Sequence, residues 1–251
     1  MNVNKMQLPV NFNEQKKPQL FEGLSENSLQ ALLQRSVMQD YESGRILVQQ
    51  GDNPECIFLV LDGSLKTSRI NEDGGEAIIR MLEAGDTCME AVLFMGIPSP
   101  INVQAMSAAK ILKIPDSVVK KHVLEDPAFA VNLLRIVSRH YKNAMHQIEA
   151  MNIKSPLQRV GYYFLLKHIE QGHENLDFKL PFKKQVVANY LGMTPETFSR
   201  TLKQMKDMGI KVEEDTIRMR DSFALCHFCD SDTASLCSRH DQPECEKCPL
   251  H

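Results

Sequence analysis

The chain has 251 residues, 43% hydrophobic and 24% charged, with a formal net charge of −3. That length and balance suit a globular protein of one or two domains, and no apolar run is long enough to cross a bilayer. A slight excess of acid excludes binding to nucleic acid through bulk charge, so any such surface must be local.

The first residues, Met1-Asn-Val-Asn-Lys5, lack the pattern of a secretory signal, and the expected compartment is the cytoplasm, with no membrane partner. Leu20-Phe21 and the segment from Ser25 to Leu33 predict a short helix capped by Ser25 or Asn27. From Tyr41 to Pro115 the pattern is one of short strands between turns: Ile46–Val48, Cys56–Leu61, Leu65–Ile70, Ala77–Leu82, Ile101–Ala105 and Ile111–Ile114. Asn71-Glu-Asp-Gly74-Gly75 marks a hairpin, and the regular turns indicate an antiparallel barrel or roll.

After Pro115 the period becomes helical, with a short helix over Val118–Leu124. Asp126-Pro127 then opens a long helix to about Met151. On it Ala130, Leu134, Val137, Tyr141, Ala144, Ile148 and Met151 follow a 4-3 spacing. This is a heptad seam with polar flanks at Arg139, Lys142, Asn143 and Gln147, and it predicts a parallel two-chain coiled coil. The alternative is a single helix packed on the roll. Ser155-Pro156 ends this helix, and Leu157–Gln171 forms the next.

A short strand near Phe178–Phe182 precedes the most informative stretch, Gln185 to Lys206. Val186, Val187, Tyr190 and Leu191 lie at helical spacing, Gly192 supplies a turn, Thr194 is a cap and Pro195 suits the first helical position. Phe198, Leu202 and Met205 make one apolar face. Glu196, Ser199, Arg200 and Lys203 fall on the other. This is a helix-turn-helix whose second helix suits the major groove, with Arg for guanine and Glu for cytosine. Lys183, Lys184, Arg200, Lys203, Lys206, Lys211, Arg218 and Arg220 form the local basic patch, and Lys211–Met219 predicts a two-stranded wing.

Five of the seven cysteines crowd the C-terminal tail, whereas Cys56 and Cys88 lie in apolar stretches. Cys226-x2-Cys229, fifteen residues, then Cys245-x2-Cys248 matches the spacing of a tetrathiolate site, with Cys237 as substitute ligand. Zinc would make the tail a structural staple for protein interaction. An iron–sulfur cluster would make it a redox or gas sensor. No nucleophile–base set, phosphate loop or motif-backed acid pair is present, and no enzyme is expected.

The order roll, long helix, winged helix-turn-helix resembles the CRP/FNR family of bacterial transcription regulators over about residues 20–222. Gly51, Gly63, Gly74 and Leu82-Glu-Ala-Gly85-Asp86 support the likeness. The segment Met193-Thr194-Pro-Glu196-Thr-Phe-Ser199-Arg200 resembles the recognition helix of the FNR/DNR branch, and the residues around Glu90 are DNR-like. The resemblance implies an α+β chain: a cyclic-nucleotide-binding-like β-roll at 18–125, a dimerisation helix at 126–154, a winged helix-turn-helix at 155–222 and a cysteine-rich tail at 223–251. It also implies a homodimer on a TTGA-type inverted repeat in double-stranded DNA, read by Glu196, Ser199 and Arg200, with RNA polymerase as a further partner. A signal would reset the spacing of the two recognition helices.

Three signals follow from the resemblance. Cyclic AMP would need a Glu, matched by Glu90, and an Arg-Ser pair. That pair falls at Ser99-Pro100, and no basic residue lies between Arg80 and Lys110, so cyclic AMP is not expected. Heme, as in DNR-type regulators, would draw on His122, His140 or His146. Cluster cysteines of the FNR type, placed before the roll, are absent, since the first cysteine is Cys56. Cys226, Cys229 and Cys237 instead resemble the C-terminal placement of some Bacillus-type members.

Overall fold

The computed structural model describes residues 17–171, 175–221 and 223–234. Two compact units divide within the long helix, residues 1–144 and 145–251.

In the first unit, a 3-10 turn at Gln19–Phe21 leads into α1 (Glu26–Gln34). Ser25 is its cap, the Ser25 hydroxyl accepting from the Ser28 amide at 3.2 Å. The strands that follow are β1 (Val37–Tyr41), β2 (Ile46–Val48), β3 (Cys56–Asp62), β4 (Leu65–Ile70), β5 (Glu76–Leu82) and β6 (Thr87–Cys88). Then come α2 (Glu90–Met95), β7 (Asn102–Ala105), β8 (Ala109–Pro115), α3 (Asp116–Glu125) and α4 (Pro127–Ile153). Two four-stranded sheets result, ordered β1-β8-β3-β6 and β2-β7-β4-β5, with antiparallel pairing throughout.

β3 explains why the roll has two cores. Successive strand residues point to opposite faces. Ile57, Leu59 and Leu61 join the core under the helices, while Phe58 and Val60 join the roll interior with Val48, Leu65, Leu82 and Val103. The Asn71–Gly75 turn closes the β4–β5 hairpin, as its residues predict.

Three elements of this unit leave no mark in the sequence: β6, only two residues long, β1 and α2. β1 carries Val37 and Met38 on exposed positions, and its near-uniform exposure leaves no alternation to detect. α2 is a six-residue helix entered through Met89 in the left-handed region, φ 79°. It is too short to show a period.

α4 has two apolar faces. Phe129, Leu133 and Ile136 are buried in the helix-side core with Leu20, Phe21, Leu32 and Leu112. Full burial of such side chains contributes roughly 1.5–3 kcal/mol each, which commits this face to the roll. The seam residues lie on the other face and remain exposed. Asp126 is the N-terminal cap, accepting from the Ala128 and Phe129 amides at 2.9 and 3.2 Å.

The second unit begins within α4. Ser155 caps α5 (Pro156–Glu170) in a capping box with Gln158, and Pro156 takes the first turn. β9 (Asp177–Lys179), α6 (Lys184–Tyr190), α7 (Pro195–Asp207), β10 (Ile210–Glu213) and β11 (Thr216–Met219) complete a winged helix-turn-helix. The wing sheet runs β10-β11-β9, so β9 adds a third strand to the predicted two. Val160, Phe164, Phe178, Val187, Phe198, Met205 and Ile217 are buried in this unit.

Among the described residues no helix is long and apolar enough to cross a membrane.

Candidate nucleic-acid interface

The predicted recognition helix is α7, and its local chemistry holds as read. Gly192 sits at φ +65°, the left-handed conformation that lets the chain turn between α6 and α7. The Thr194 hydroxyl accepts from the Thr197 amide at 3.2 Å, and Pro195 opens the helix. Phe198 and Met205 are buried, Leu202 is half-buried, and Thr201 adds a buried hydroxyl that donates to the Thr197 carbonyl at 2.9 Å. Thr194, Glu196, Ser199, Arg200 and Lys203 are all exposed. Hydrogen bonds from its own backbone amide and from Thr194 hold the Glu196 carboxyl below the usual range. It is therefore an ionised acceptor at the helix N-terminus, where negative charge is favoured.

The basic patch is smaller than its residue list. Arg218 pairs with Glu213 at 3.0 Å and Asp177 at 3.7 Å, and Arg220 with Asp221 at 3.3 Å. Of the patch residues, Lys183, Lys184, Arg200, Lys203, Lys206 and Lys211 have no ion-pair partner among the described residues, which leaves a positive face spread over the start of α6, α7 and β10.

Residues outside the motif hold the turn. The end of a helix leaves carbonyls without intrahelical partners. Gln147 Nε2 donates to the Tyr190 carbonyl at 3.0 Å, and Arg159 Nη1 to the Leu191 carbonyl at 2.8 Å. A Cβ on Gly192 would lie 3.3 Å from Met151 Cε. The last turns of α4 and the first turn of α5 thus grip the point where α6 turns into α7. Gln147 reads in sequence as a solvated flank of the seam; it is half-buried because it performs this capping. No local signal marks Arg159.

The seam residues stand exposed: Leu134 66%, Tyr141 69% and Ile148 54%, with Val137, Ala144 and Met151 also exposed and Ala130 half-buried. One helix face carries the whole set.

Of the tail cysteines, Cys226 and Cys229 lie on a 3-10 turn, Cys226–Phe228, and both are half-buried. Within it Phe228 and Cys229 amides donate to the Leu225 and Cys226 carbonyls, each at 3.0 Å. Ala224 and Leu225 are buried, and so is Thr233 in a four-residue helix, α8 (Ser231–Ala234). This first stretch of tail packs on α5. A Cβ on Gly161 would meet the Phe228 ring at 2.3 Å, so the ring lies directly on the α5 backbone. Glycine inside a helix costs about 1 kcal/mol relative to alanine, and the close approach explains it here. Asp230 Oδ2 accepts from Lys154 Nζ at 2.8 Å, and that ammonium lies 3.8 Å over the Tyr162 ring. Cys237, Cys245 and Cys248 lie outside the described residues. Among the described residues no three His, Cys, Asp or Glu side chains gather as a metal cluster.

In the roll, Glu90 is buried, and burial pushes its carboxyl up; Oε1 has no hydrogen-bond partner among the described residues. Arg80 Nη2 donates to the Thr87 carbonyl at 3.1 Å and to His140 Nε2 at 2.8 Å. Ser99 is closed on itself: its hydroxyl donates to the Ile101 carbonyl at 2.7 Å and its amide to the Asp52 carbonyl at 2.7 Å. Pro100 has no amide proton to offer. His122 has both ring nitrogens against carbonyls, Val118 at 2.8 Å and Ser28 at 3.3 Å.

Burial, then Arg80 and Arg139, lower the His140 pKa from 6.5 to about 3. Between those values the unfolded chain binds a proton that the native fold refuses, so stability falls as pH drops through that window. His140→Gln keeps an acceptor for Arg80 and removes the titration. Thermal melts from pH 7 to 4 should therefore show a shallower loss for the variant. Superimposable curves would place His140 away from Arg80 in solution.

Residues 38–126 match the cyclic nucleotide-binding domain model, and residues 158–228 the Crp-like helix-turn-helix domain model. The chain is 26% identical over 228 residues to the anaerobic regulatory protein of Pasteurella multocida, covering 89% of this chain and 79% of that protein. It is 27% identical over 191 residues to the fumarate and nitrate reduction regulatory protein of Salmonella typhi, covering 73% and 75%. FixK2 from Bradyrhizobium japonicum shares the fold at a TM-score of 0.69 and 20% identity, over 78% of this chain and 98% of that one.

Proposed function

This chain belongs to the CRP/FNR family of transcription regulators, and from that premise we propose a homodimer that reads a TTGA-type inverted repeat and answers a redox or gas signal through its C-terminal cysteines. Members of the family bind DNA and act as dimers. The observation that carries the reading is the exposed Glu196, Ser199, Arg200 and Lys203 face of a helix capped by Thr194 and braced by Gln147 and Arg159. The apolar stripe from Leu134 to Met151 supports the dimer. Two symmetric recognition helices then meet major grooves one DNA turn apart. RNA polymerase is the partner through which binding would act on transcription, and the compartment is the cytoplasm.

For the signal, the relatives named as anaerobic and as fumarate and nitrate reduction regulators favour oxygen or a related gas. The Cys226–Cys229 pair on one tight turn has the form each half of a tetrathiolate site needs. A cluster held there would supply a redox-labile joint, whereas zinc would supply a fixed staple. The closed Ser99-Pro100 segment supports a roll that does not bind cyclic AMP.

The test is the visible spectrum of protein purified without oxygen, before and after air. A shoulder near ~400 nm that bleaches in air is expected for an iron–sulfur centre. A Soret band would move the signal to heme and the histidines. A colourless, zinc-containing protein would overturn the sensing role and leave a DNA-binding regulator with a stapled tail.

A further inference from the structure

We propose that Phe228 and Asp230 latch the cysteine tail to the joint between α4 and α5, so that the state of the cysteines reaches the helix-turn-helix through Lys154. The inference rests on the reading of the tail as the signal-bearing element.

Lys154 stands between Ile153, the last residue of α4, and Ser155, the cap of α5. It is the joint itself. Its ammonium donates to Asp230 Oδ2 at 2.8 Å while lying over the Tyr162 ring. Asp230 directly follows Cys229, and its other oxygen caps α8, accepting from the buried Thr233 amide at 2.9 Å. Side-chain exposures of 21% and 34% leave this ion pair only partly open to solvent. It is not one of the fully exposed pairs that contribute almost nothing. Phe228, one residue before Cys229, presses on Gly161 where no side chain could stand. The Cys226–Cys229 turn is therefore flanked by two anchors, one on the α5 backbone and one on the joint.

The other side of the joint is equally engaged. Gln147 and Met151 from α4 and Arg159 from α5 hold the turn that presents α7. Any movement of the Cys226–Cys229 turn pulls on Asp230, hence on Lys154, and so on the helices that brace the recognition helix. Two arrangements of one packed element, biased by the tail, are what such coupling requires.

The test compares full-length protein purified without oxygen with the same protein stripped by a chelator under reductant. The readouts are affinity for a TTGA inverted-repeat duplex and hydrogen exchange across α5. Wild type should differ between the two states by at least about fivefold in affinity. Asp230→Asn keeps the cap on Thr233 but loses the ion pair. Lys154→Met keeps the stem over Tyr162 but loses the charge. Each should bind as much metal as wild type, and each should reduce the difference to within about twofold, with faster exchange in α5. The double variant should add nothing further, and Lys154→Arg should keep the wild-type response. Phe228→Ala tests the second anchor independently and should also reduce the difference. If wild type responds and Asp230→Asn, Lys154→Met and Phe228→Ala respond in full, the latch is overturned and the sensing tail stands. If wild type itself shows no difference, both readings fall together.

Discussion

Replacing Leu134 by Glu should convert the dimer to a monomer without unfolding the chain. Leu134 is 66% exposed on the unpartnered face of α4, opposite the buried Phe129, Leu133 and Ile136. In a monomer the new carboxylate stays in water on a helix that accepts Glu readily. In a dimer it meets its symmetry mate inside an apolar seam. Burying an unpaired carboxylate costs several kcal/mol, and each lost Leu contact removes about 1.5–3 kcal/mol. Together these shift the dimer equilibrium by roughly a thousandfold or more. Sedimentation should report a monomer whose melting temperature stays near that of the wild-type roll. Specific binding to an inverted repeat should disappear, because one recognition helix per molecule reads one half-site. A Leu134→Glu protein that remains dimeric would remove the seam from the interface.

Arg200→Ala should weaken binding to a TTGA inverted repeat by about 1–3 kcal/mol per contact, roughly five- to 150-fold. The variant should also stop discriminating against duplexes in which the guanine partner is changed. Arg200 is exposed and has no ion-pair partner among the described residues, so its loss leaves α7 folded on Phe198 and Met205. The effect therefore belongs to recognition and not to stability. Competition binding on TTGA and substituted half-sites separates the two, because a phosphate contact would weaken all sequences alike. Unchanged affinity and preference would place the base-reading residues elsewhere on the helix.

What the sequence determined by itself is short in range. Caps, turn chemistry and periodicity act over a few residues, so Thr194, Pro195 and Gly192 announce α7 and its turn, and Phe198, Leu202 and Met205 announce its buried face. The same holds for Ser155-Pro156, the Asn71–Gly75 hairpin and the alternation in β3. The apolar stripe on one face of α4 was also legible, but not that α4 carries a second apolar face committed to the roll. Periodicity shows which residues share a face; only the surrounding strands decide what covers it. The tertiary structure alone decided the contacts that tie the site together. Lys154 and Asp230 are 76 residues apart, Arg80 and His140 60, Gln147 and Tyr190 43. Nothing within a few residues of Lys154, Arg80, His140 or Gln147 points to the partner it meets. The role of each arises because the fold brings to it one carbonyl, one ring or one opposite charge, and that meeting depends on packing across the whole unit.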